Sequence, residues 1–285
     1  MAVSLNTGKG GLQFVRVENE AATAEVSLLG AHVVSYIPKG GEEIMWMSPK
    51  CVFAEGTGIR GGVPICWPWF GKKFGISHGL VRRFLWKYLG AEEISSEETV
   101  VKFSIDDFEE TRKVWDYKFH LTMKVTVGKT LRMDLTTENK DERPMELSQA
   151  LHTYFRISDV ANLKVCGFEN KSYFDKVNGA NDIKTVGNGP VQITSEVDRV
   201  FQNAPGPFRI VDAGLKREIL ITTANSNSAV IWNPWIDKST TMSDFPADGY
   251  LTMVCVETCN AMEDTRTIAP GANHTLTAIY TVKPL

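Results

Sequence analysis

This 285-residue chain lacks long apolar runs, helical periodicity and an excess of charge of either sign. No apolar segment is long enough to cross a bilayer. The N-terminal residues show no signal-peptide pattern. The formal net charge of −3 gives no general attraction to nucleic acid or to an anionic membrane. We therefore expect a cytoplasmic protein that binds neither nucleic acid nor membrane.

Cysteine is scarce and scattered, and the five residues make an odd number. Free thiols in a cytosolic protein are the expected state. Cys255 and Cys259 lack the second pair of cysteines or histidines that a zinc site would need. No two histidines have the spacing of metal ligands on a helix. The sequence therefore predicts no metal site, and any such site would have to be assembled in three dimensions.

Several nucleotide-binding and hydrolase motifs are also missing. There is no GxxxxGK[ST] phosphate loop, no GxGxxG after a strand and no GxSxG turn. These absences argue against the common nucleotide-dependent and serine-hydrolase chemistries.

Apolar and polar residues alternate over much of the chain, which is typical of half-buried strands. The alternation is strict from Phe119 to Val127, and after a turn at Gly128-Lys129 it resumes from Leu131 to Leu135. This predicts a hairpin. An earlier strand-rich run extends from Glu25 to Ile37. Further strands are predicted at Val101–Ile105, Glu146–Ile157, Glu218–Thr223, Ala229–Trp232, Met253–Glu257 and Thr275–Val282.

Helical patterns are nearly absent, and only Glu109 to Tyr117 could form a turn or two. No βαβ rhythm, internal repeat or linker is visible. Many short strands joined by Gly- and Pro-rich turns favour an all-β fold. We predict a single domain over residues 1–285, built as a large antiparallel β-sandwich with few short helices.

One loop, from Arg60 to Arg82, concentrates five glycines, two prolines and two tryptophans. Glycine lets the backbone approach a ligand closely, and the arginine at each end offers a planar set of donors for phosphate or carboxylate. The alternative is a surface loop packed by its own aromatic residues.

Two strands carry candidate acid and base groups. Alternation places His152 on the same face as Ala150 and Tyr154. A purely structural role is the common alternative to catalysis for such a histidine. In the strand at 253–259, Glu257 shares a face with Cys255 and Cys259. A carboxylate there is costly to bury unless it is paired or used, although exposure on an edge strand would also explain it. If buried, its pKa rises toward the range of a general base, and histidine suits the matching acid.

Two further segments are candidates for the walls of a sugar site. Asp198 lies between apolar residues and could accept hydrogen bonds from hydroxyls, or form a surface ion pair with Arg199. Trp232 and Trp235 flank a turn, and tryptophan faces stack on sugar C–H surfaces, although core packing is their common role.

Six short motifs, together with their order along the chain, resemble those of hexose-6-phosphate mutarotases. These are the glucose-6-phosphate 1-epimerase branch of the aldose 1-epimerase superfamily. The resemblance extends from about Val26 to Val282. The motifs, which precede the strand bearing Glu257, are Arg60-Gly-Gly-Val-Pro, Trp67-Pro-Trp-Phe-Gly71, His78-Gly-Leu-Val-Arg82, Leu151-His-Thr-Tyr-Phe155, Glu196-Val-Asp-Arg199 and Ile231-Trp-Asn-Pro-Trp235.

The resemblance implies a galactose-mutarotase-like β-sandwich that interconverts the anomers of glucose 6-phosphate without a cofactor. It implies that His152 is the general acid at the ring oxygen and that Glu257 is the base at the C1 hydroxyl. It assigns the phosphate to Arg60 and Arg82 and the sugar hydroxyls to Asp198. We expect a monomer.

Three departures from the family pattern are visible. Ser77 stands where the family commonly has glutamine before its His78-Gly pair, so a substrate hydrogen bond there is lost or bridged by water. Leu80-Val81 replaces Phe-Ala, and Thr258-Cys259-Asn260 follows Glu257. We count Ser77 and His78 among the substrate-binding residues. A neutral-aldose mutarotase and a non-catalytic phospho-sugar-binding module are the alternative functions.

Overall fold

Short antiparallel strands joined by turns make up most of the computed structural model, which describes residues 2–179 and 181–285. The strands are β1 (Ala2–Thr7), β2 (Gln13–Glu18), β3 (Ala22–Ser27), β4 (His32–Pro38), β5 (Ile65–Cys66), β6 (Lys72–Lys73), β7 (Ile76–Ser77), β8 (Lys87–Ser95), β9 (Glu98–Asp106), β10 (Phe119–Val127), β11 (Thr130–Asn139), β12 (Met145–Leu147), β13 (Gln149–Leu151), β14 (Tyr154–Arg156), β15 (Leu163–Cys166), β16 (Ser172–Asp175), β17 (Asp182–Thr185), β18 (Val197–Gln202), β19 (Phe208–Asp212), β20 (Arg217–Ala224), β21 (Ser228–Asn233), β22 (Met253–Asn260), β23 (Arg266–Ile268) and β24 (Asn273–Pro284).

Two eight-stranded sheets dominate, so the predicted all-β architecture is confirmed. One sheet has the order β15-β19-β20-β24-β11-β10-β9-β8. The other, which we call the site sheet, has the order β17-β16-β18-β21-β22-β13-β5, with β14 also paired to β22. A four-stranded sheet, β1-β2-β3-β4, and two small two-stranded sheets complete the pairing.

Helical structure is short. The α-helices are α1 (Glu109–Val114), in the segment where a turn or two of helix was expected, and α2 (Trp235–Thr241), which the sequence did not predict. Single 3₁₀ turns lie at Lys9–Gly11, Val81–Arg83, Val160–Asn162, Val177–Gly179, Gly249–Thr252 and Met262–Asp264. No helix of the described residues is long and apolar enough to cross a membrane.

The predicted hairpin forms with Phe119 opposite Asn139 and Val127 opposite Leu131. Its inward side chains, such as Leu121 and Met123, are fully buried in a core that draws on all the larger sheets. Burying a side chain of this size stabilises the fold by about 1.5–3 kcal/mol.

A second, smaller cluster lies on the other face of the site sheet. In β22, Val254 and Val256 point into the large core, while Cys255 and Cys259 point into the smaller cluster with Tyr154 and Trp232. Alternation along β22 therefore places Glu257 on the face that carries the site.

Candidate active site

His152 and Glu257 are brought together by strand register. Leu151 pairs with Thr258 in β13 and Tyr154 pairs with Cys255 in β14, so the same register places His152 directly opposite Glu257 on β22. His152 Nδ1 lies 3.4 Å from Glu257 Oε1. Both residues are buried, with 9% of His152 and 1% of Glu257 exposed. Because β22 lies between β21 and β13, the exposure of Glu257 on an edge strand is excluded.

The single strand predicted at Glu146–Ile157 is wrong, because the chain forms three short strands with a break at His152 and Thr153. At the break, the backbone N–H of His152 donates to Pro64 O, and the N–H of Tyr154 donates to Gly62 O. Both bonds join this segment to the loop that begins at Arg60. They bring the loop beside His152.

A cavity of about 340 Å³ opens over the His152–Glu257 pair. This volume lies within the roughly 300–1,000 Å³ of small-molecule sites. All seven residues that the sequence predicted as catalytic or substrate-binding line it, which brings together side chains from the Arg60–Arg82 loop and from three distant segments. The lining consists of Gly58, Ile59, Arg60, Pro64, Phe70, Ser77, His78, Arg82, His152, Tyr154, Asp198, Val230, Trp232, Lys238, Met242 and Glu257.

Burial shifts the two central groups in opposite directions. It raises the pKa of Glu257 well above the ordinary value, and the nearby carboxylate of Asp198 adds to the rise. Burial also holds the pKa of His152 well below 6.5, assisted by His78, Arg60 and Arg82. These two shifts favour neutral imidazole and protonated carboxyl in the pair.

Arg60 is fixed by two partners that the sequence did not indicate. Its Nε donates to Asp244 Oδ2 at 3.1 Å, and its Nη1 donates to Tyr154 Oη at 2.9 Å. The guanidinium is thus oriented, but part of its charge is already compensated by Asp244. Asp244 lies in an irregular segment after α2, and no local pattern identifies it as a partner of Arg60.

Arg82 reaches the cavity from the other end of the loop. Its Nη2 donates to the backbone O of Ser77 at 2.9 Å, and its Nε has no hydrogen-bond partner among the described residues. A Cβ at Gly58 would lie 3.0 Å from Arg82 Nη1, so glycine leaves room for the guanidinium there. Among the described residues, no carboxylate forms an ion pair with Arg82, which makes it the less compensated of the two arginines.

Ser77 and His78 lie at one edge of the cavity. The bond from Arg82 uses the carbonyl of Ser77, so the replacement of glutamine by serine leaves that contact intact. His78 accepts a hydrogen bond from Gly71 N at 3.3 Å and meets the ring of His152 edge-on, with 5.4 Å between centroids. Burial, with the charges of Arg82 and Arg60, lowers the pKa of His78 to about 3, so its imidazole is neutral.

Asp198 and Lys238 lie at another part of the wall. Burial raises the pKa of Asp198. Arg199 lies over the ring of Tyr173, with 4.7 Å between its Cζ and the ring centroid. Arg199 therefore does not form the surface ion pair with Asp198 that was the alternative from the sequence. Lys238 of α2 pairs with Glu196 at 2.7 Å, and sequence reasoning missed it.

Only one of the two predicted wall tryptophans lines the cavity. Trp232 does so, and its ring contacts those of His152 and Tyr154. Trp235 instead packs against Tyr250, with 5.1 Å between ring centroids. The turn at Pro234 directs the second indole away from the site.

The chain is similar to known proteins in family, sequence and fold. The family model described as Aldose 1-epimerase matches residues 13–281. A protein of Escherichia coli K12 named "Putative glucose-6-phosphate 1-epimerase" is 35% identical over 275 residues, covering 95% of this chain and 91% of that protein. A plant protein of the same name, from Cenchrus ciliaris, is 34% identical and covers 87% and 78%.

Solved structures give the same result. The crystal structure of a "putative mutarotase (YeaD)" from Salmonella typhimurium superposes with a TM-score of 0.92 at 34% identity, covering 99% of this chain and 94% of that one. A galactose mutarotase-like protein from Clostridium acetobutylicum, at 15% identity, shares the fold with a TM-score of 0.77. The family match spans most of the chain and includes every residue of the cavity. The chain belongs to the aldose 1-epimerase family and is an epimerase of the isomerase class.

Proposed function

We propose that this epimerase interconverts the α and β anomers of glucose 6-phosphate, with His152 and Glu257 transferring the protons. The observation that carries the proposal is the pair itself. An imidazole and a carboxyl group lie 3.4 Å apart, buried, and at the floor of a cavity that also contains two arginines. General acid–base catalysis needs donor and acceptor within hydrogen-bond reach of the reacting atoms.

Ring opening requires one proton to leave the C1 hydroxyl and one to reach the ring oxygen. We assign removal of the hydroxyl proton to Glu257 and protonation of the ring oxygen to His152. The C1–O bond of the ring then breaks, and the open-chain aldehyde forms. Rotation about the C1–C2 bond and reclosure, with the two proton transfers reversed, gives the other anomer. No electrons or groups are transferred, so the chemistry calls for no cofactor.

The charge on the substrate would help to set which of the two groups, His152 or Glu257, carries the proton. Arg60 and Arg82 are two of the causes that lower the pKa of His152. A phosphate dianion held by the arginines would offset their charge and raise the pKa of His152. Protonation of the pair would then shift from the carboxyl group toward the imidazole, which is the state required for ring opening.

Arg82 supports the phosphate ester over a neutral sugar. A free hexose offers no anion, whereas the uncompensated guanidinium of Arg82 offers donors suited to phosphate. Asp198, Ser77 and His78 line the same cavity, and we assign them contacts with the substrate, with Asp198 accepting hydrogen bonds from the sugar hydroxyls. A binding module without catalysis would have no use for the His152–Glu257 pair, which makes it the weaker alternative.

Anomerisation tests the proposal directly. Freshly dissolved α-glucose 6-phosphate is followed by NMR with and without the protein, and free glucose is measured in parallel. We expect acceleration over the spontaneous rate for the phosphate ester and much less for glucose. Equal rates for the two sugars would favour the neutral-aldose mutarotase. Calorimetric binding of the ester without any acceleration would favour the binding module.

We also propose that residues 1–285 act as one domain, as a monomer, in the cytoplasm, and without a nucleic-acid partner. The shared core supports the first point, since it includes residues from Val15 to Tyr280. Size-exclusion chromatography with light scattering tests the monomer, and a dimer mass would overturn it.

A further inference from the structure

Three metal-ligating side chains meet beside the cavity, which two of them line, and the third has no role in the proposed reaction. They are His152, Cys255 and Glu257, and one ligand atom of each lies within 4.8 Å of the other two. All three are buried, with Cys255 fully enclosed. The proton transfers use the imidazole and the carboxyl, but they leave the thiol unexplained.

Strand pairing holds the three groups in place. Cys255 and Glu257 are two residues apart on β22, so they point to the same face. His152 is opposite Glu257 across the sheet. Because β22 is paired on both sides, the backbone cannot spread to separate these ligands.

One of the three spacings already suits a small tetrahedral ion. Zinc binds imidazole nitrogen, carboxylate oxygen and thiolate sulfur at about 2.0–2.3 Å, which separates neighbouring ligand atoms by roughly 3.3–3.7 Å. The distance of 3.4 Å between His152 Nδ1 and Glu257 Oε1 is already in this range. Zinc sites with three protein ligands keep a fourth position open, and here that position would face the cavity, which both His152 and Glu257 line.

Unpartnered polar atoms point to a ligand independently of the spacing. His152 Nδ1 and Glu257 Oε2 are buried, and neither has a hydrogen-bond partner among the described residues. A buried polar atom without a partner is costly, by about 1–3 kcal/mol. A cation bound between these groups would satisfy them together.

We propose that this group of three residues, the His-Cys-Glu site, binds a thiophilic divalent cation of the Zn²⁺ class from the cavity side, and that the bound cation blocks the sugar. On binding, Cys255 and Glu257 each release a proton to the solvent, and the thiolate sulfur, the carboxylate oxygen and the neutral imidazole nitrogen coordinate the ion, with no change in oxidation state. The metal-binding part is independent of the proposed function, and only the blocking part rests on it.

Cobalt(II) is the probe for the site, because thiolate coordination gives it a charge-transfer band. The full-length chain is titrated with Co²⁺ and the band is recorded, with Zn²⁺ then added to displace it. The test variant is Cys255→Ala. The matched control is Cys259→Ala, because Cys259 is equally buried on the same face of β22, on the other side of Glu257.

We expect one Co²⁺ per chain with the thiolate band in the wild type and in Cys259→Ala. The band should be lost in Cys255→Ala, with metal affinity lowered by more than about tenfold. Circular dichroism checks folding, and Cys255→Ser replaces the alanine variant if that variant folds poorly. A wild type without the band, or a band that survives in both Cys255 variants, would overturn the site.

Inhibition tests the blocking part. Zn²⁺ should slow anomerisation by the wild type and by Cys259→Ala, with recovery after EDTA, and should slow Cys255→Ala much less. Each rate is compared with the same variant free of metal. If Co²⁺ binds as described but Zn²⁺ leaves the rate unchanged, the blocking part is wrong. If the wild type does not accelerate anomerisation at all, the proposed function is wrong. The Co²⁺ spectrum still shows in that case whether the metal site exists.

Discussion

The ring of Tyr154 lies parallel to the imidazole of His152, with 4.9 Å between the centroids and 9° between the planes. The same tyrosine accepts a hydrogen bond from Arg60 through its hydroxyl. Tyr154 thus contacts His152, the proposed acid, with the face of its ring, and Arg60, a proposed phosphate-binding residue, with its hydroxyl. Because two different atoms make the two contacts, two substitutions can separate them.

We predict that Tyr154→Phe raises KM for glucose 6-phosphate and changes kcat little, because it removes the hydroxyl that orients Arg60 and keeps the ring. Tyr154→Leu should lower kcat as well, because an aromatic face stabilises a neighbouring cation by about 0.5–2 kcal/mol and an aliphatic side chain does not. Steady-state anomerisation kinetics give both constants. Equal kcat values for the two variants would show that the stacked ring does not assist the imidazole.

His152 and Glu257 should each be required for acceleration. Positioned acid–base groups typically contribute about 10²–10⁴-fold, so we expect His152→Ala and Glu257→Gln to lose activity by that order. The spontaneous rate is subtracted in each NMR measurement. Glu257→Gln keeps the size of the buried side chain, so a folded protein with a lost rate points to the carboxyl group itself. Unchanged rates in both variants would refute the assignment.

Arg82 should set the preference for the phosphate ester. Losing a charge-assisted hydrogen bond costs about 1.5–3 kcal/mol. Arg82→Ala should therefore raise KM for glucose 6-phosphate by roughly 10–100-fold and leave any activity on glucose unaffected. Arg83→Ala is the matched control, since Arg83 belongs to the same 3₁₀ turn but does not line the cavity. Equal effects of the two substitutions on KM would show that Arg82 does not bind the phosphate.

His32 should make stability depend on pH. It is fully buried, its Nε2 lies 2.7 Å from Gly61 O, and burial lowers its pKa to about 3. The unfolded chain binds a proton near pH 6.5, so the stability from neutral His32 is complete above that pH and is lost as the pH falls toward 3.

Urea unfolding between pH 7.5 and 5 measures this loss. Well below pH 6.5, His32 contributes a slope of about 1.4 kcal/mol per pH unit. His32→Gln should be less stable at pH 7.5 but have a flatter profile, because glutamine can still donate to Gly61 and does not titrate. Parallel profiles would mean that other groups, such as His78 and His152, account for the acid sensitivity.

The secondary structure was predictable where the signal is local. Side-chain alternation indicated the hairpin of β10 and β11 and placed Glu257 on one face with Cys255 and Cys259, and the structure confirms both. Alternation also correctly grouped His152 with Tyr154, because the break between β13 and β14 keeps the register with β22. The break itself was not predictable, since its cause is hydrogen bonding to the distant residues Gly62 and Pro64.

By itself, the sequence determined most of the strand-forming segments, the faces of their side chains and seven of the residues that line the cavity. The segments and faces follow from period-two patterning, and the seven residues from motifs within short stretches. Tertiary structure alone decided that His152 is opposite Glu257, that Asp244 compensates Arg60, and that Cys255 joins the pair as a third ligand. The reason is that register and contacts between distant segments depend on how whole sheets pair and pack. Nothing in the order of residues near Cys255 records that a histidine about a hundred positions earlier lies within 4.8 Å.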